Sequence, residues 1–153
     1  SRWSAILDLI ERDVKSWVED RIDHAEITRA GWDTPQIDLR WYTRDDIVRA
    51  IQIVLGSFPA GGYRLAINVS AWKDFESDHQ RKWSTKEITT FGVPDDLRDF
   101  PHNELSNGLL KAYKEVQQWE QRSLDTKSDL PSRPQELFTP ELSSKKILGY
   151  KRP

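Results

Sequence analysis

Gln36-Ile-Asp-Leu-Arg-Trp-Tyr-Thr-Arg-Asp-Asp-Ile-Val-Arg-Ala-Ile-Gln-Ile-Val-Leu-Gly56 decides how the chain is built. Its first third alternates: Ile37, Leu39 and Trp41 on one side, Asp38, Arg40 and Tyr42 on the other. That period of two predicts a half-buried strand over 36–42. Thr43 then offers a hydroxyl to cap a helix, and Asp45 and Asp46 would complement the positive end of its dipole. Thr43-x-x-Asp46 approximates a capping box. Ile47, Ala50, Ile51, Val54 and Leu55 fit one helical stripe, Val48 and Ile53 widen it, and Gly56 is a natural stop. The stretch therefore predicts strand, then a well-buried helix.

On its N-terminal side, Gly31-Trp-Asp-Thr-Pro35 carries turn formers. It joins 36–42 to a shorter strand over 24–29 in a hairpin. Before that, Trp3, Ile6, Leu7, Ile10, Val14 and Trp17 recur at steps of three and four, which predicts a core-packing helix over 4–22.

On its C-terminal side, Pro59-Ala-Gly-Gly62 forces a turn. Tyr63–Trp72 then alternates, with Leu65, Ile67, Val69 and Ala71 inward and Arg64, Ala66, Asn68, Ser70 and Trp72 outward. A polar, mostly acidic loop over 73–80 leads to a strand over 81–91 with no clean buried side. That strand reads as an edge, where Lys82 and Lys86 would discourage strand addition. Residues 96–100 suit one helical turn. Asn103 caps a last helix, ending near Arg122, whose apolar face is Leu105, Leu109, Ala112, Tyr113, Val116 and Trp119.

The expected fold is therefore α+β: a two-layer sandwich in the order α-ββα-ββα, with about four strands, helices mainly on one sheet face and an extended C-terminal tail. The two ββα blocks show no residue-level repeat. Whether 36–42 and 63–72 pair in parallel stays open at this level. Residues 1–122 read as one domain. Residues 123–153 read as a Pro/Ser-rich tail that still carries Leu137, Phe138, Leu142, Ile147, Leu148 and Tyr150. Those side chains suit a segment docked on its own domain or on a partner.

With 153 residues the chain is long enough for one real core. Seven Trp, five Phe and four Tyr argue against disorder throughout. A net charge of −2 gives no global pull toward nucleic acid or an anionic membrane. Without cysteine, disulfides, thiolate nucleophiles and Cys-ligated metal centres are excluded. A cytoplasmic location fits that composition. No apolar run reaches the ~20 residues of a spanning helix. Met is absent, position 1 included, so Ser1 reads as the start of a cut domain or a processed end.

No phosphate loop, dinucleotide glycine motif, nucleophile elbow or zincin helix is legible. His24, His79 and His102 are not spaced as ligands, and His102 reads as a loop residue at the start of the last helix. Asp74, Glu76 and Asp78 beside His79 lack the glycine and terminal glutamate of an EF-hand, so they read as a solvated loop. Neither catalytic residues, a metal site nor a cofactor is expected.

The more specific signal is the outward sheet face, where Arg40, Tyr42, Arg64, Asn68, Trp72 and Trp83 form the candidate partner-binding set. Arg, Tyr and Trp are the types enriched at binding hot spots. This predicts a non-catalytic protein-interaction or accessory module that binds a partner or a second copy of itself through that face or the tail. Single-stranded nucleic acid is an alternative occupant, through aromatic stacking beside Arg. A small-molecule binder or enzyme with a pocket between sheet and helices, lined by Trp32, Trp41 or Trp119, is a third reading.

Overall fold

In the computed structural model, residues 2–31, 34–42, 47–73 and 83–125 are described, the side chains of 72–73, 83–84 and 120–125 excepted. The element order is α1 (Arg2–Val18), β1 (Glu26–Ala30), β2 (Gln36–Tyr42), β3 (Ile47–Ser57), β4 (Tyr63–Lys73), β5 (Trp83–Val93), a 3-10 turn (Leu97–Asp99) and α2 (His102–Asp125). The five strands form one sheet in the order β1-β2-β3-β4-β5, every neighbouring pair antiparallel. The fold is α+β, as expected, with both described helices on one face of the sheet.

The expected central helix is a correction. Residues 47–57 are the middle strand, so among the described residues the order is α-βββββ-α rather than α-ββα-ββα, with five strands rather than about four. The physical reason is burial on both faces. Ile47, Ile51, Ile53 and Leu55 face the helices, while Val48 and Ala50 are buried on the opposite side. A strand buried twice has no period of two, and its apolar residues then fit a helical stripe equally well. The β-branched side chains of Ile47, Val48, Ile51, Ile53 and Val54 favour the extended backbone. Gly56 lies inside the strand instead of ending a helix. Thr43–Asp46, the supposed cap, lies outside the described residues. With no crossover, β2 and β4 are not neighbours but flank β3.

The remaining elements stand close to their expected places. α1 buries Ile6, Leu7, Ile10, Val14 and Trp17, and α2 buries Leu105, Leu109, Ala112, Val116 and Trp119. Both stripes close on Ile37, Leu39, Ile51, Ile53, Leu65, Ile67 and Val69. Tyr113 joins the helices to the sheet, its ring 5.9 Å from both Trp17 and Trp41. Trp41 and Trp119 are thus core residues; Trp32 lies outside the described residues. Arg49 is also drawn inward, in register between Trp41 and Ala71, and donates to the Ile47 carbonyl at 3.2 Å.

Gly108 lets α2 approach the sheet. A Cβ there would lie 2.5 Å from Ile67 Cδ1 and 3.1 Å from Thr89 Cγ2. The Phe58–Gly62 turn closes the β3–β4 hairpin with Gly61 and Gly62 at positive φ. The mixed pattern of β5 has a specific cause. The register shifts between Ile67 and Asn68, so Thr89 pairs with Ile67 while Glu87 pairs with Asn68. That bulge moves Thr89 to the helix side, away from Thr85 and Glu87. The tail after residue 125 and the acidic loop around His79 lie outside the described residues.

Candidate interaction face

The register places a polar surface on the face opposite the helices. One cross-strand row runs Thr28, Asp38, Gln52, Asn68, Glu87. The next runs Glu26, Arg40, Ala50, Ser70, Thr85, and the one after it Tyr42, Val48, Trp72, Trp83. Alternation in β2 and β4 makes this inevitable once the partner strands are antiparallel and in step.

The two halves of the face differ. Over β2 and β3, and out to Ser70, it is sealed: Asp38 is 0 % exposed, Arg40 3 %, Ala50 0 %, Gln52 6 % and Ser70 1 %. Val48 and Ala50, with Tyr42 packed against them, form a small apolar cluster separate from the main core. Over β4 and β5 the face opens. Arg64, Thr85, Glu87 and Thr90 are exposed, and Asn68 is half-buried.

Inside the sealed half, Asp38 accepts from Gln36 Nε2 at 2.6 Å and from Arg40 Nη2 at 3.0 Å. Burial pushes its carboxyl above the usual carboxylate range, and the charge of Arg40 and the bond from Gln36 only partly oppose this. Ser70 Oγ links β3 to β5, donating to Gln52 Oε1 at 3.2 Å, with Thr85 Oγ1 at 3.3 Å. At either side of the Asp38–Gln52 pair, Thr28 Oγ1 and Asn68 Oδ1 are buried with no hydrogen-bond partner among the described residues.

Of the candidate set, Arg40 is thus fixed in a buried ion pair, Tyr42 is half-buried beside Val48, and Asn68 borders the open half. Arg64 is exposed, its guanidinium 5.8 Å from the Phe58 ring centroid. Trp72 and Trp83 are opposite one another in register, and their side chains lie outside the described residues. Gln52 and Thr28 were not singled out from sequence. Gln52 was hidden because β3 read as a helix, and Thr28 because its strand alone shows no clear alternation.

A second concavity, of about 480 Å³, opens between the helices, lined by Asp13, Ser16, Trp17, Arg21, Ser106 and Leu110 among others. His102 sits there as the first residue of α2, its Nδ1 2.6 Å from Asp13 Oδ2. Among the described residues no three acidic or histidine side chains gather as a metal site, and no helix is long and apolar enough to cross a membrane. Comparison with family models, curated proteins and solved structures finds no match to this chain.

Proposed function

We propose that the protein is a non-catalytic interaction module that engages a protein partner through the open β4–β5 half of its outer sheet face. One observation carries this reading: Arg64, Thr85, Glu87 and Thr90 are exposed on that strip, while Asp38, Arg40, Gln52 and Ser70 on the rest of the face are buried. Arg is also a side chain enriched at interface hot spots. The exposed Glu87 on that strip and the net charge of −2 weaken the nucleic-acid alternative, because binding to phosphates is carried by neutralising cations.

The test places a photo-crosslinker at Thr85 and, separately, at Lys111, which is exposed on α2 away from this face. The expected result is a discrete adduct from position 85 alone, whose purified partner binds about tenfold more weakly to Arg64→Glu. Light scattering of the pure chain then separates a second copy from a different protein. Identical adducts from both positions, or binding indifferent to Arg64→Glu, would sink the reading.

A further inference from the structure

We propose that the tip of the β3–β4 hairpin is a preformed anchor: Phe58 enters an apolar pocket on a partner protein, and Arg64 meets a carboxylate at that pocket's rim. This rests on the open β4–β5 half being an interface, and it assigns the chemistry of the partner surface.

Six consecutive residues, Ser57-Phe-Pro-Ala-Gly-Gly62, are exposed and uncharged. Phe58 at the head of the turn is 44 % exposed. A lone exposed aromatic means little by itself. Here its surroundings are built. The Phe58 carbonyl accepts from Gly61 N at 2.9 Å, and Phe58 N donates to the Gly62 carbonyl at 3.1 Å. Pro59 sets the first corner of the turn, and Gly61 and Gly62 supply positive φ angles that a side chain would resist. A Cβ on Gly62 would lie 4.0 Å from Phe58 Cδ2, so the ring stands beside a residue with no side chain of its own.

Arg64 is held in a similar way. It pairs in register with Gly56 on β3 and Gly92 on β5. A Cβ on Gly56 would lie 3.5 Å from Arg64 Nε and 3.6 Å from its Cγ, so the arginine stem lies over that glycine. From there the guanidinium comes within 5.8 Å of the Phe58 ring centroid. Glycine inside a strand is unfavourable unless something approaches it closely, and at Gly56 the arginine does. Among the described residues no carboxylate pairs with Arg64.

The partner's chemistry follows from these two groups. The tip can be buried without desolvating a charge, and charges are depleted at the centre of interfaces. A ring fixed before binding loses less freedom than one that must be ordered. The planar guanidinium beside it suits bidentate pairing with Asp or Glu as the ring enters the pocket. A lipid surface fits less well, because a single arginine at the tip and a net charge of −2 offer little attraction to anionic headgroups.

The test uses the full chain with a photo-crosslinker at the exposed Ala60, read beside those at Thr85 and Lys111. The expected result is an adduct from 60 to the same partner as from 85, attached to a partner segment that contains Asp or Glu. Binding of that purified partner should fall about tenfold for Phe58→Ala and for Arg64→Lys, which keeps the charge but not the planar fork, with urea midpoints unchanged. Changing the mapped carboxylate to Lys should weaken binding to the parent chain and restore it to Arg64→Glu. An adduct from 85 with none from 60, or binding indifferent to Phe58→Ala, overturns the anchor and leaves the wider face standing. No adduct from either position overturns both. Co-sedimentation with vesicles of phosphatidylcholine and phosphatidylserine that Phe58→Ala abolishes gives the tip to a membrane and also overturns the anchor.

Discussion

Arg40 Nη2 lies 3.0 Å from Asp38 Oδ2, and both side chains are buried, although both stand on the sheet face that the helices leave alone. Two residues apart on one strand, they share a side and can touch without help from the rest of the fold. What the fold adds is desolvation, which makes the pair costly to break.

Asp38→Ala should destabilise the protein by about 3 kcal/mol, because it leaves the Arg40 charge buried without the Asp38 carboxylate. Urea unfolding at neutral pH measures this. Replacement by alanine at exposed Glu87, on the same row, should cost under ~0.5 kcal/mol.

The direction of the Asp38 shift sets a pH dependence. Its folded pKa is raised above the ordinary value of 3.8, so the native state holds the proton more tightly than the unfolded chain. Stability from this group is therefore present at acid pH and lost as pH rises through the raised value. Compared with Asp38→Asn, the parent chain should gain relative stability as pH falls from neutral toward the ordinary carboxylate value. A constant difference across that window in urea midpoints would contradict the assignment.

Gly31 follows β1 at φ +95°, and a Cβ there would collide with the Thr34 carbonyl oxygen. The obstacle is backbone and cannot turn aside. Gly31→Ala should cost more than ~1 kcal/mol, read as a lower melting temperature or urea midpoint.

At Gly108 the neighbour is the tip of Ile67, so the cost should be recoverable. Gly108→Ala gains about 1 kcal/mol of helix propensity but overpacks a filled core by about 1–3 kcal/mol. Paired with Ile67→Val, which removes Cδ1, it should return close to parental stability. A double-mutant cycle should give a favourable coupling of about 1 kcal/mol, and strict additivity would show that the close approach does not matter.

The His102–Asp13 contact ties the start of α2 to α1, with side chains 54 % and 19 % exposed. Such a partly solvated pair is worth little. His102→Ala and Asp13→Ala should each cost about 1 kcal/mol or less, with a small coupling energy between them.

Much of the architecture was legible because its signals are local. α1 and α2 each repeat apolar residues at helical spacing, and β2 and β4 each alternate cleanly. The assignment of Asp38, Arg40, Tyr42, Arg64, Asn68 and Trp72 to one face follows from that alternation and agrees with the register. β3 was not legible. Its residues are apolar on both sides, and which backbone they adopt depends on having β2 and β4 to pair with. The bulge that turns Thr89 inward was equally invisible, since one extra residue on β5 has meaning only against β4.

The sequence by itself determined the periodic elements, the one-sided burial of the helices and the polar character of the outer face. These depend on the spacing of residues within single elements. Tertiary structure decided that 47–57 is the central strand of a five-stranded meander. It also decided that Asp38, Arg40, Gln52 and Ser70 are buried while Arg64 is not. Burial and strand pairing are properties of what lies opposite a residue, and a chain read alone does not name its neighbours across space.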